Sequence, residues 1–291
     1  MQPEDMHGIR GLDLRMTKQA FGWSPNTMYP LLTTPEGNVK SQKAAEYGYS
    51  VAMLMLHADR IEADINPLGI EREYVTVVTC PHATHGPEGC VDNCIMYTGR
   101  GRRNNKGTPT GIHIGRARRT RWLATEPHSF IVQLVREMQL HVSSSKNNGL
   151  VPVVRLNGTS DLRWELIVPW LFQILPPHEL TFIDYTKWPL KARADRPSHY
   201  HLAKSVQASK ESIDTVFDEL NHGHISMIID DPSLLIDTDP ALFINADAHD
   251  LWIAEATAQP VIGLLRPKKP LTKTHPQVFK AREIYRKLYQ Q

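Results

Sequence analysis

Apolar and polar positions alternate along this chain in a way that changes period several times. From Gln42 to Ile65, Ala44, Tyr47, Val51, Leu54, Met55 and Ile61 keep near-helical spacing, which predicts a helix packed on a core. Glu73 to Thr79 carries Tyr74, Val75, Val77 and Val78, a strand pattern that runs directly into Cys80. Glu126 to Val142 returns to the helical period through Phe130, Ile131, Leu134, Val135 and Met138, with Pro127 placed for the first turn.

The alternation then repeats. Strand-like Leu150 to Leu156 precedes helix-like Leu162 to Leu175, and strand-like Leu180 to Asp184 precedes a polar loop. Tyr200 to Val206 and Ile225 to Asp230 read as strands on either side of a helix from Ser212 to Leu220, which Gly223 ends. Ala241 to Ile244 and Val261 to Leu265 supply two more short apolar runs. Strands separated by helices predict a mainly parallel sheet in an α/β protein. Because polar residues follow nearly every strand, a partial or complete (β/α) barrel of the TIM-barrel kind fits better than an open doubly wound sheet. The expected organisation is an irregular, Pro-, Thr-, Asn- and Gly-rich arm over residues 1–45, a barrel-like domain over 46–267, and a linker with a terminal surface helix over 268–291.

Composition narrows the class. With 41% hydrophobic and 22% charged residues among 291, the chain has the make-up of a folded globular protein. No basic, apolar leader opens it and no run of about 18 apolar residues occurs, so the expectation is a cytoplasmic protein without a membrane segment. The net charge of +2 predicts no general attraction to nucleic acid. Locally, however, Arg100 to Arg121 contains eight Lys or Arg residues and no Asp or Glu, a stretch that could meet an anion or nucleic acid or simply be a solvated loop. GxGxxG, Walker A, HExxH and GxSxG patterns are absent, which leaves dinucleotide, P-loop, zincin and nucleophile-elbow chemistry without a local signature.

The chemistry-bearing feature is the run Cys80-Pro-His-Ala-Thr-His-Gly-Pro-Glu-Gly-Cys90-Val-Asp-Asn-Cys94, which holds all 3 cysteines of the chain. Three thiols within one turn-rich loop cannot complete a disulfide framework, and thiolates are soft, strong ligands for iron–sulfur clusters and zinc. A [4Fe–4S] cluster bound by Cys80, Cys90 and Cys94 is the leading expectation, with one iron left open for a substrate or for S-adenosylmethionine. Zinc is the rival, with His82 or His85 completing a Cys3His tetrahedron.

Several motifs in order resemble a phage-encoded family named for mycobacteriophage gene product eighty-eight. They are Cys80-Pro-His-Ala-Thr with Cys90 and Cys94, Arg116-Ala-Arg-Arg-Thr-Arg-Trp122, Arg155-Leu-Asn-Gly-Thr-Ser-Asp161 with Trp164-Glu165, and Asp184-Tyr-Thr-Lys187. The likeness runs from about Asn38 to Arg266. Three cysteines after a first strand of an α/β barrel are in turn similar to the radical S-adenosylmethionine enzymes, and this resemblance implies a [4Fe–4S] cluster at Cys80, Cys90 and Cys94. The spacing C-x9-C-x3-C departs from the usual C-x3-C-x2-C of those enzymes. Under this resemblance Asn157, Asp161 and Lys187 bind the methionine or ribose part of the cofactor or orient a substrate, which is an unidentified small molecule or macromolecule, in the cytoplasm of a phage-infected bacterium.

The expected strand ends gather further polar residues: Arg155 and Ser160 after the second strand, Tyr185 after the third, His201 and Lys204 at the fourth, Asp230 and Asp231 after the fifth, and Asn245, Asp247, His249 and Asp250 after the sixth. An electron-transfer or redox-sensing iron–sulfur protein that does not use S-adenosylmethionine, and a zinc-stapled nucleic-acid-binding protein, are the two rival functions.

Overall fold

The computed structural model of the chain describes residues 30–33, 39–64, 73–94, 96, 110–256, 259–268 and 271–290. Its strands are β1 (Leu32–Thr33), β2 (Tyr49–Leu54), β3 (Arg60–Asp64), β4 (Tyr74–Val78), β5 (Val151–Arg155), β6 (Thr181–Thr186), β7 (Tyr200–Val206), β8 (His224–Ile228), β9 (Phe243–Asn245) and β10 (Ile262–Leu265). Its helices are α1 (Val39–Glu46), α2 (Gly111–Thr125), α3 (Pro127–Asn147), α4 (Trp164–Ile167), α5 (Ile213–Leu220), α6 (Pro232–Thr238), α7 (Trp252–Glu255) and α8 (Ala281–Tyr289), with 3-10 turns at Pro169–Gln173 and Leu190–Arg193.

An eight-stranded sheet has the order β1-β2-β5-β6-β7-β8-β10-β9, and β3 pairs with β4 in a separate ribbon. In the large sheet β1 runs antiparallel to β2, whereas β2 with β5, β5 with β6, β7 with β8, and β10 with both β8 and β9 are parallel. The mainly parallel α/β expectation therefore holds. Closure into a complete barrel is not seen: β1 and β9 are the two ends of the order, and no ladder joins them among the described residues.

Two compact units divide the chain. The first takes the described residues within Met1–Pro81 and Ile95–Phe182, with Pro197–Tyr200. Here β2 buries Val51, Ala52, Met53 and Leu54 consecutively, as a parallel strand covered on both faces does. Pro127 occupies the first turn of α3 as expected, and Phe130, Ile131, Leu134, Val135, Met138 and Val142 form its buried stripe. The second unit takes His82–Cys94, Ile183–Arg196 and the described residues within His201–Gln291. Its face around Trp252 is built on a missing side chain: a Cβ on Gly263 would lie 2.5 Å from the indole, so only glycine lets the ring settle on β10. Ala203, Ala246, Ile253 and Val261 complete that packing.

Three expectations are corrected. Gln42 to Ile65 is not one helix, because Gly48 turns the chain at φ +85° and the apolar run after it is strand β2, followed by β3. The strand before Cys80 exists, but as β4 it belongs to the ribbon with β3 rather than opening the main sheet. Leu162 to Leu175 breaks into α4 and a 3-10 turn at Pro169, which removes a backbone donor. Of the basic stretch, Arg100 to Pro109 lies outside the described residues, and the remainder is helical as α2. The arm over residues 1–45 is described only at 30–33 and 39–45.

Candidate functional site

In the first unit, three segments meet where β2, β4 and β5 end. Thr79, fully buried, receives Asp161 N–H on its carbonyl at 2.7 Å, donates its own N–H to Asp59 O at 2.7 Å, and donates its hydroxyl to His57 O at 2.5 Å. Asp59 holds φ +66°, a conformation that Asp tolerates better than most residues. The Thr159 hydroxyl donates to Leu56 O, and Gly158 N–H donates to Leu54 O at 3.0 Å. A Cβ at Gly158 would overlap Met55 Sδ and come within 2.9 Å of Leu54 O, so the close approach of these loops needs glycine.

Cys80 leaves this junction half-buried, with Sγ 3.8 Å from Thr159 O and 3.9 Å from Thr79 Oγ1. Asn157 sits in the same group of loops, only 3% exposed. Its Oδ1 accepts from Ser160 Oγ at 2.9 Å, Leu162 N–H at 2.9 Å and Trp164 Nε1 at 3.2 Å. Its Nδ2 donates to Leu162 O at 2.9 Å and to Tyr200 OH at 3.3 Å. That amide is engaged on both ends by the protein and shapes the 157–164 loop. Asp161 is buried in the same loop. Cys80, Asn157, Ser160 and Asp161 are thus brought together.

In the second unit, the loop carrying Cys90 and Cys94 is folded by its own turns. Gly89 N–H donates to Gly86 O at 2.7 Å, Val91 N–H to Thr84 O at 3.0 Å and Cys94 N–H to Val91 O at 3.2 Å. Gly86 has φ +91°, and a Cβ on Gly89 would overlap Thr84 O. Thr84 N–H points at Cys90 Sγ at 3.4 Å while Thr84 Oγ1 accepts Cys90 N–H at 2.9 Å. Asn93 Nδ2 donates to both Pro87 O and Gly89 O at 3.0 Å. The His82 ring meets Trp188 edge-on at 4.1 Å, one residue beyond Lys187, whose amine donates to Ser205 O at 2.7 Å.

Six of the other rim residues have neighbours that account for them structurally. Lys204, buried in β7, pairs with Glu219 at 2.9 Å and with Glu211 at 3.8 Å. Asp230 Oδ1 accepts Ala281 N–H at 2.9 Å, and Asp247 Oδ2 accepts Arg266 N–H at 2.8 Å. Tyr185 donates its hydroxyl to Asp250 at 2.9 Å and receives Trp252 Nε1 at 3.3 Å. His249 lies 3.8 Å from Glu255. In the basic helix α2, Arg116 is buried and donates to Met96 O at 3.1 Å; Arg119 donates to Pro30 O and Arg121 to Glu62 O, each at 2.9 Å. Burial lowers the Arg119 pKa, with Arg118 acting in the same direction. Burial also holds the His57 imidazole below its ordinary pKa, opposed by its bond to Ala58 O.

Thiolates are the donor type that iron–sulfur clusters and zinc take. Cys80, Cys90 and Cys94 are each half-buried, and the Thr84 N–H is aimed at Cys90 Sγ. Among the described residues, no three His, Cys, Asp or Glu side chains are already gathered as ligands.

Fold and loop together define a mixed α/β protein with a three-thiol loop that begins at the end of a strand. The chain belongs to the Gene product 88 family, whose model matches residues 31–282, the phage family that the motifs resemble. No curated protein and no solved structure matches it. Among the described residues no helix is long and apolar enough to cross a membrane.

Sequence reasoning passes over Gln277. Its side chain is 4% exposed and donates to Glu88 O at 2.5 Å, tying the cysteine loop to a segment almost 190 residues away. A glutamine between His275-Pro276 and Val278-Phe279 carries no motif, so nothing in the sequence marks it.

Proposed function

We propose that this phage-family protein holds a [4Fe–4S] cluster on Cys80, Cys90 and Cys94 and acts on its substrate in the manner of the radical S-adenosylmethionine enzymes, within a partial (β/α) barrel. The observation that carries the reading is the setting of the cysteines. Each thiol is half-buried, Cys80 in the first unit and Cys90 and Cys94 in the second, and Cys90 accepts a backbone N–H. When bound, a cluster held by these three cysteines would leave one iron without a protein ligand, open to a substrate or to S-adenosylmethionine.

The chain's own residues divide the remaining work. Thr84 holds Cys90 from both sides, through N–H to sulfur and hydroxyl to N–H. Asn157 shapes the loop whose Thr159 carbonyl meets Cys80, so its part is to set that loop rather than to touch a ligand. Asp161 and Lys187 are the polar groups for a cofactor or substrate. The setting is the cytoplasm of an infected bacterium.

Anaerobic purification with iron, sulfide and zinc analysis, followed by low-temperature EPR before and after adding S-adenosylmethionine, tests the reading. About four iron and four sulfide per chain are expected, with a spectrum changed by the cofactor and lost in Cys90→Ala. A cluster indifferent to the cofactor points instead to electron transfer or sensing. One zinc without sulfide overturns the cluster and leaves a Cys3His staple through His82 or His85. Nucleic-acid contact through α2 falls to exposed Arg118 and Arg121, because Arg116 is buried. A steep salt dependence of RNA or DNA affinity that those two arginines control would favour that function.

A further inference from the structure

Residues 271–281 are more than a connection to the terminal helix. Leu271, Gln277, Val278, Phe279 and Ala281 are buried, unlike the linker their Lys- and Pro-rich surroundings suggest. Phe279 bridges to Ile229 as an extra parallel partner beyond the end of β8. Its N–H donates to Ile228 O at 2.9 Å, and its carbonyl accepts Asp230 N–H at 3.1 Å. Asp230 also anchors the start of α8, accepting Ala281 N–H at 2.9 Å and facing Lys280 Nζ at 3.7 Å. Gln277 O accepts Ala208 N–H at 3.3 Å, just past the end of β7. Residues 277–281 are thereby fixed as a strap across the carboxyl ends of β7 and β8.

From this strap the Gln277 side chain reaches Glu88 O, in the stretch between Gly86 and Cys90 that no strand or helix supports. Gly89 is the next residue, and its N–H closes the turn onto Gly86. The His275 ring accepts Gln277 N–H at 3.2 Å and so fixes the backbone from which that side chain departs.

We infer that Gln277 is a positioning residue for the metal centre: it holds the Glu88–Cys94 turn in the shape that presents Cys90 and Cys94 together. This rests on the proposed role of the three cysteines as ligands. An amide suits the task because it donates without charge in a buried place, where a lysine would be costly and an aspartate or glutamate would face a carbonyl with the wrong sign.

The test uses the full chain with Gln277→Met, which keeps the length and removes the donor, and Thr84→Val, which loosens the turn from inside. In metal-free, reduced protein, alkylation of each cysteine by iodoacetamide is followed by peptide mass spectrometry. Gln277→Met is expected to speed modification of Cys90 and Cys94 about five-fold, the factor that one lost net hydrogen bond allows, while Cys80, whose sulfur contacts include Thr79 and Thr159, keeps its rate. Thr84→Val should show the same selectivity. Equal acceleration of all three cysteines, or of none, overturns the inference, since a general loss of stability acts on all. In anaerobically reconstituted protein, Gln277→Met should also shift the EPR signature at unchanged iron content. If the unsubstituted chain holds no cluster, the ligand reading fails while the alkylation pattern still decides whether Gln277 positions the turn.

Discussion

Single side chains here have electrostatic consequences that can be measured. His224 Nδ1 accepts Val261 N–H at 3.2 Å, so that nitrogen must stay unprotonated in the fold. Burial first, then the neighbouring His201 and Arg196, push its pKa from 6.5 to about 4. The folded state thus prefers neutral His224 more than the unfolded chain does, and its contribution is whole above pH 6.5, eroding as the pH falls towards about 4. Urea unfolding midpoints should drop over that interval in the native chain and drop less in His224→Gln; parallel curves would assign the effect elsewhere. Asn157→Ala should cost roughly 2–3 kcal/mol by denaturant unfolding, because several buried partners lose their bond at once. The Asn-Gly-Thr-Ser-Asp stretch can be recognised in the sequence as special, and Asn157, Ser160 and Asp161 do gather beside Cys80. Its division of labour cannot be read there: an asparagine that binds a ligand and one saturated by Leu162, Trp164 and Tyr200 are the same letter.

Between elements, the edge strand β1 depends on α3. Glu137 accepts Leu31 N–H at 2.9 Å and Leu32 N–H at 2.7 Å through its carboxylate, while Arg119 of α2 takes Pro30 O. Hydrogen bonds to a charged group contribute about 1.5–3 kcal/mol. Glu137→Ala should therefore release β1 locally, seen as lost deuterium-exchange protection at residues 31–33 with protection kept in β5; unchanged exchange at 31–33 would show that its pairing with β2 suffices. The legibility of elements follows the same physics. β7 and α5 are legible nearly to the residue, because half-buried or amphipathic segments advertise their period. The continuous apolar run of β2 does not, since a strand buried on both faces looks like a helix core. Helix α2 is hidden because its buried face consists of His113, Arg116, Thr120 and Leu123, a stripe with one apolar member.

At the scale of the molecule, the alternation of strands and helices is enough to predict a mainly parallel α/β sheet, but strand order is not legible, since pairing depends on contacts far apart in sequence. The separate β3–β4 ribbon is the clearest case: Arg60–Asp64 falls within the stretch that reads as helix, and nothing in Tyr74–Val78 marks its partner as β3 rather than the main sheet. The buried strap makes the second unit dependent on residues 271–281. Removing residues 267–291 withdraws Leu271, Val278, Phe279 and Ile284 from the core, each a loss of about 1.5–3 kcal/mol for a large apolar side chain. The truncated chain should bind a hydrophobic dye and lose its near-ultraviolet circular dichroism; retention of a native spectrum would mean that the strap merely lies on a unit stable without it.

The order β8-β10-β9 bears on the chain as it is made. Phe243–Asn245 precede Ile262–Leu265 in sequence, yet their ladder is to β10, which separates them from β8. A ribosome emits the chain from its amino end, so this segment emerges before the strand it will join. Until translation has passed Leu265, the nascent protein carries an apolar stretch around Phe243 without its ladder, and that interval is when a chaperone would have something to hold.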